Sequence, residues 1–285
     1  MSRTVIVRLA GGLGNQLFQF AAGCYLRTHK ELNVRFDDSW YHDPGRGGAT
    51  PRAFELGALL ADAGFELHRP RFARLKYHRW NPTTLLENEP SASALDDLAP
   101  RIHSLQGYFQ VARYPLGVQT ELARYLLPVL DRIPPIEGVQ NAVGVHVRLG
   151  DYATDLTAAA YHGQTGPQYC GAAVRAARSS APGGAVVVFT DSPELARRDG
   201  YLDEFDDATN VVHERTAWET LADLSNCAAI VMSNSSLSWW AAFTANALRS
   251  RDMTVVYPVP WLAKLSAADS SLPLPGWTPM SRATS

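Results

Sequence analysis

The chain is poor in cysteine, has no long apolar run and carries almost no excess charge of either sign. Cys24, Cys170 and Cys227, three among 285 residues, are odd in number and far apart. They build neither a disulfide framework nor a Cys-x-x-Cys metal site, and read as reduced thiols of a cytoplasmic protein. No apolar stretch approaches the roughly 18 residues that a spanning helix needs. The first residues, MSRTVIVRLAGG, begin a short strand rather than a charged leader with a cleavage site, which leaves peripheral membrane association open. A net charge of -2 gives no electrostatic reason to expect nucleic acid. The one strongly basic stretch, Arg69 to Arg79, reads either as a solvated helix face or as an arm drawn to an anionic surface or acceptor. No Asp-x-Asp, His-x-His or His-Glu-x-x-His spacing occurs, so no metal site is expected. A Gly-x-Ser-x-Gly nucleophile elbow is also missing.

What remains is a globular composition. Hydrophobic residues make up 46% and charged residues 19%, a balance that buries a substantial core. At this length two domains are expected. The double proline Pro134-Pro135, followed by Glu137-Gly138, marks the linker, giving domains 1–136 and 137–285.

Hydrophobic periodicity orders the rest. A β-branched run, Thr4 to Leu9, leads through Gly11-Gly12-Leu13-Gly14 into a helical pattern from Gln16 to His29. A second strand, Asn33 to Phe36, ends at Asp37 and Asp38. Helical patterns follow at Ala53 to Leu60, Arg71 to Trp80 and Thr120 to Leu130, with a strand and turn at Ile102 to Gln110. The second half alternates more regularly. Strands are expected at 143–148, 185–189, 211–212, 228–232 and 253–257, and helices at 168–178, 193–198, 218–225 and 236–248. Such alternation predicts parallel sheets covered by helices on both faces.

Three strand ends in the second half carry candidate chemistry, and one in the first. Val143 to Tyr152 reads as a buried strand that delivers His146, Arg148 and Asp151 into a turn eased by Gly150. A guanidinium there can clamp a phosphate through paired hydrogen bonds, or can simply pair with a neighbouring carboxylate. Ala185 to Leu195 runs into Thr190-Asp191-Ser192-Pro193. Ser192 suits an N-cap and Pro193 a first helical position, while Asp191 suits either a guanine or ribose contact or the positive helix start. Ile230 to Phe243 places Ser233 to Ser236 ahead of an aromatic helix, so Ser235 and Ser236 can meet a phosphate or cap the helix. Trp239 and Trp240 read as core. In the first half, Gly12, Gly14, Asn15 and Gln16 open a helix, as either a plain tight turn or an anion cradle. Asn15 and Gln16 can cap it or address a sugar or phosphate. The run lacks the third glycine of a dinucleotide fingerprint and the lysine of a Walker loop.

Taken together, these segments resemble the α-1,2-fucosyltransferases of glycosyltransferase family 11. The resemblance runs through GGLGNQLFQFAAG at 11–23, Arg52-Ala-Phe-Glu-Leu56, Gly107-Tyr-Phe-Gln110, HVRLGDY at 146–152, FTDSPELA at 189–196 and SNSSLSWWAAF at 233–243. It implies a GT-B fold, two Rossmann-like domains facing across a cleft, with GDP-fucose as donor substrate and no cofactor. It further implies Arg148 on the diphosphate, His146 beside it, Asp191 on guanine or ribose, Ser235 and Ser236 on phosphates, and the Gly12 to Gln16 loop over the sugar. The partner expected is a galactose-containing glycan acceptor, and the reaction an inverting, metal-independent transfer to a galactose 2-hydroxyl. Arg148 would stabilise the departing diphosphate. Asp151 would serve as base, with Asp155, Asp37 and Asp38 as competitors, although Asp151 also suits a plain turn. The alternatives are transfer of another deoxyhexose from a GDP- or dTDP-sugar, a non-catalytic nucleotide- or glycan-binding protein, and a nicotinamide-dependent oxidoreductase, against which the incomplete glycine pattern counts. One departure stands out. The family motif reads His-x-Arg-Arg-Gly-Asp, and Leu149 occupies the second arginine position.

Overall fold

The computed structural model describes residues 3–42, 52–68, 81–87, 93–150, 163–205, 209–212, 215–262 and 271–282. Asp151, Asp155 and the Arg69 to Arg79 arm, with its expected helix, lie outside them. The chain divides into two compact units, Met1–Pro128 and Val129–Ser285. The division falls ahead of Pro134-Pro135, and the reason is electrostatic. Asp223, fully buried, accepts from the Ile136 amide at 3.0 Å and from Arg215 Nε at 2.9 Å. Arg215 in turn donates to the Pro134 carbonyl at 3.0 Å. The expected linker is thus fastened onto unit 2.

Unit 1 holds a five-stranded parallel sheet in the order β3-β2-β1-β5-β4. Its strands are β1 (Thr4–Arg8), β2 (Asn33–Asp37), β3 (Glu66–Leu67), β4 (Thr84–Leu86) and β5 (Ser104–Gln106). Helix α1 (Leu13–Lys30) follows β1 directly, and its inner face buries Leu17, Phe20, Ala21 and Cys24. Three shorter or irregular helices follow: α2 (Gly57–Asp62), α3 (Arg113–Gly117) and α4 (Gln119–Leu130), the last containing Pro128. The pattern at Ala53 to Leu60 becomes helical only from Gly57.

Unit 2 holds six parallel strands: β6 (Val143–Val147), β7 (Val186–Thr190), β8 (Thr209–Val212), β9 (Ala229–Val231), β10 (Thr254–Val259) and β11 (Thr278–Ser281). Between them run α5 (Pro167–Ala177), α6 (Pro193–Arg198), α7 (Ala217–Asn226) and α8 (Ser236–Phe243), and α8 continues into a π-helical turn over Thr244–Leu248. The order β11-β10-β9-β6-β7-β8 is that of a six-stranded Rossmann sheet, in which the chain reverses direction of travel between the first and fourth strands. Here those strands are β6 and β9. Every residue of β6 and β7 is buried, as expected of central parallel strands covered on both faces.

The two faces of β6 have different neighbours. Val143, Val145 and Val147 join Tyr169, Cys170, Ala173 and Val174 of α5 in one apolar cluster. On the opposite face, a Cβ at Gly144 would stand 2.6 Å from Cys227 Sγ and 3.0 Å from a Leu224 methyl. Glycine therefore sets how closely the end of α7 approaches the sheet. Among the described residues no helix is long and apolar enough to cross a membrane.

Gly144→Ala is expected to cost about 1–3 kcal/mol through overpacking. Urea unfolding reads the change, and an unaltered midpoint would refute the close approach.

Candidate active site

Parallel α/β sheets gather ligand-facing groups at the carboxyl ends of strands where the order reverses. In unit 2 that point lies at the ends of β6 and β9, with β7 next to β6. His146, Arg148, Asp191, Ser235 and Ser236 all sit at these three strand ends, so the sheet order brings the unit 2 candidates to one rim.

Asp191 knits the rim together. Its Oδ2 takes Nε of Arg148 at 3.1 Å, and its Oδ1 accepts from the amides of Leu149 at 3.1 Å and Gly150 at 3.2 Å. One carboxylate thus holds both the guanidinium and the turn that follows it. The two side chains remain 21% and 29% exposed, so solvent screens the pair and its value is geometric. Within the chain, Asp191 has a bracing role at the rim. Gly150 lies close to the same carboxylate, and a Cβ there would stand 2.9 Å from Asp191 Oδ2, so a side chain at this position would require Asp191 to shift.

Leu149 goes the other way. It is 1% exposed and belongs to the cluster formed by the odd-numbered side chains of β6 and α5. The position that carries a second arginine in the family motif is here part of the core.

His146 shares the even-numbered face of β6 with Gly144 and leans on Ser233, whose Oγ lies 3.2 Å from Nδ1. Burial, helped by the Arg148 guanidinium and opposed by Asp191, pushes the imidazole from its ordinary 6.5 down to about 4. The ring is neutral at physiological pH. Ser233 was not singled out from sequence; its place directly after an apolar strand was the available signal.

The serines divide their work. Ser235 caps α8, its hydroxyl accepting from the Leu237 amide at 3.3 Å, while Ser236 opens the helix half-buried. Ser238 donates to the carbonyls of Ser233 at 3.2 Å and Ser235 at 2.9 Å, fixing the turn from beneath. Trp239 and Trp240 are fully buried, as core residues should be. Ser192 precedes α6 but makes no side-chain cap; its amide instead donates to Thr190 Oγ1 at 3.2 Å.

Unit 1 has its own polar strand end. Gly11 takes φ +80, a left-handed turn that glycine tolerates without strain. Gly12 is the extended residue before α1, and Gly14 is buried in its first turn. Gln16, fully buried, neither caps the helix nor reaches outward. Its amide nitrogen donates to the carbonyls of Gly11 (3.0 Å) and Ala53 (2.9 Å), and its oxygen accepts from the Glu55 amide (2.9 Å). Within the chain, Gln16 is an internal clamp that joins the Gly11 turn to the segment at 53–55. Asn15 Oδ1 accepts from Gln110 at 2.8 Å, so it too serves the loop. Gln19, unnoticed in the sequence, links the Ala10 amide to the Gly107 carbonyl. Asp37 and Asp38 are fully buried, accepting from the Ser39 amide at 2.8 Å and facing His42 Nε2 at 3.2 Å respectively. Glu55, half-buried near Arg52, is a further carboxylate of this face, and burial holds it above the usual carboxylate range against the opposing pull of Arg52.

Two successive Rossmann-like units, with polar and charged residues gathered at the reversal point of the second, accord with the GT-B class of glycosyltransferases. The model described as Glycosyl transferase family 11 matches residues 105–280, more than half of the chain, and the protein belongs to that family. It is similar to an alpha-1,2-colitosyltransferase of Escherichia coli, 25% identical over 91% of this chain and 93% of that protein. The O-antigen biosynthesis glycosyltransferase WbnK of Escherichia coli is 24% identical over 90% and 94%. The crystal structure of the fucosyltransferase NodZ from Bradyrhizobium matches at a TM-score of 0.45 and 15% identity, covering 85% of this chain and 93% of that one. Family membership implies a nucleotide-sugar donor and a glycan acceptor.

Because His146 is harder to protonate folded than unfolded, the stability it contributes is complete above about pH 6.5 and is lost as pH falls toward about 4. His146→Gln should flatten that part of the Tm-against-pH curve; an unchanged curve would exclude His146 as its source. Leu149→Arg should lower Tm sharply without tightening GDP binding, because the new charge enters the core. Tighter binding at unchanged Tm would contradict the burial of this position.

Proposed function

We propose that the protein is an inverting, metal-independent transferase that moves L-fucose from GDP-fucose to the 2-hydroxyl of a galactoside. The observation that carries this reading is the pairing of Arg148 with a carboxylate that also grips the two following amides, at the reversal point of a Rossmann sheet. A guanidinium fixed before the ligand arrives needs little reorganisation to meet a diphosphate. As the bond from sugar C1 to the diphosphate oxygen breaks, Arg148 takes up the growing negative charge. The acceptor oxygen forms the new bond from the opposite side and releases its proton to a base. That base is assigned to Asp151 on the motif alone. The lack of any Asp-x-Asp triplet in the sequence supports charge neutralisation by the chain itself.

A second reading has a specific observation behind it. The relative named as an alpha-1,2-colitosyltransferase matches nearly the full length of both chains. Colitose lacks one hydroxyl that fucose carries, so the same site can serve either sugar with modest changes around that hydroxyl. Work on a bacterial surface glycan at the cytoplasmic side of the inner membrane accords with both readings.

GDP-fucose, GDP-colitose and dTDP-sugars, compared by thermal shift and then by GDP or dTDP release with a galactoside, separate the readings. Release from GDP-fucose alone is the expected result; preference for GDP-colitose would replace fucose by colitose. Arg148→Ala should lose roughly 10- to 150-fold in GDP affinity or turnover, the range for a charge-assisted hydrogen bond. Near-normal values would remove Arg148 from the diphosphate site.

A further inference from the structure

We propose that Ser233 is a positioning residue that holds His146 in its Nε2–H tautomer, making the ring a hydrogen-bond donor to an oxygen of a bound nucleoside diphosphate beside Arg148. The ligand half of this proposal rests on the reading that the unit 2 rim receives such a nucleotide; the tautomer half stands on the chain itself.

Ser233 follows β9, the direct neighbour of β6, and is 1% exposed. Its Oγ and His146 Nδ1 are 3.2 Å apart, and either atom can supply the hydrogen. The surroundings decide between the two arrangements. Were Nδ1–H to donate, the hydroxyl hydrogen of Ser233 would be left buried with no other acceptor among the described residues, the costly kind of unmet group. With the hydroxyl donating to Nδ1, that hydrogen is satisfied, and the donor left over is Nε2–H, which is not among the fully buried polar atoms without a partner and so stays within reach of solvent or a ligand. The ring hydrogen then sits on Nε2.

Nε2 has no partner among the described residues, although the ring is only 5% exposed. Two-residue alternation places His146 on the same face of β6 as Arg148. A neutral N–H donor next to a guanidinium suits an anionic or carbonyl oxygen and disfavours a cation. Since the ring titrates at about 4, donation persists unchanged across neutral pH. Ser233 itself cannot drift, because Ser238 ties down its carbonyl at 3.2 Å.

Long-range 1H–15N spectra of histidine-labelled, nucleotide-free protein identify the protonated ring nitrogen directly. Protonated Nε2 and bare Nδ1 at His146 are expected, with a shift toward a tautomer mixture in Ser233→Ala. A wild-type ring protonated at Nδ1 overturns the assignment. In calorimetry with GDP, Ser233→Ala should bind roughly three- to tenfold more weakly, and Ser233→Thr, which keeps the hydroxyl, should restore most of the loss. Equal GDP affinity in wild type and Ser233→Ala overturns the ligand half. A wild-type protein that ignores GDP overturns the nucleotide reading as well, while the spectra still decide the tautomer.

Discussion

The alternation of side chains along β6 is the constraint on which the unit 2 site depends. Successive residues of a strand face opposite ways, and β6 is enclosed on both sides. Its odd-numbered residues must complete the apolar cluster under α5, leaving the even-numbered ones to meet α7 and then the rim. Gly144, His146 and Arg148 form a graded series on that face: a close helix contact, a buried neutral ring and a partly exposed cation. A shift of one residue in the pairing of β6 with β7 and β9 would send the guanidinium into the core and a valine to the rim. The register that packs the sheet is therefore the register that builds the site.

Electrostatics at the rim follow from depth. His146 is deep enough that holding a proton would strand a charge in the sheet, beside another cation. Arg148, one step further along the same face, reaches solvent and Asp191. Positive charge is thereby confined to the outer residue, and the inner one contributes a dipole. Such a division keeps the charged donor where solvent reaches it and leaves in the sheet a neutral one, which costs less to bury.

The elements legible in the sequence were those with enough length to show a period. α1, β6, β7 and α6 fall within a residue or a few of their expected bounds, and the helix opening at Ser236 changes to a π-helical turn only after Phe243. β3, β4 and β11 are short, lie toward or at sheet edges, and were missed; a strand of two to four residues carries too little pattern. The gathering of candidate residues at one rim was legible wherever a strand ended in polar residues, as at Arg148, Asp191 and Ser235. The partners of those residues were not. Gln16 meets Ala53 and Glu55, Asp191 meets Arg148 and the amides after it, and Ser233 meets His146 across a strand pair. Each contact joins segments far apart in sequence, and no local propensity encodes it.

Leu149 shows how such a long-range constraint bears on specificity. With an apolar residue here, the turn after β6 gains a core anchor beneath it and Asp191 above it. At this position a core side chain stands in place of the second cation of the family motif, and among the described residues Arg148 and His146 at the rim have partners within the chain. Asp191 grips Arg148 and two amides together, and Ser233 meets His146. The burial of Leu149 and the bracing of Arg148 and His146 are two sides of one arrangement, in which the register of β6 fixes both.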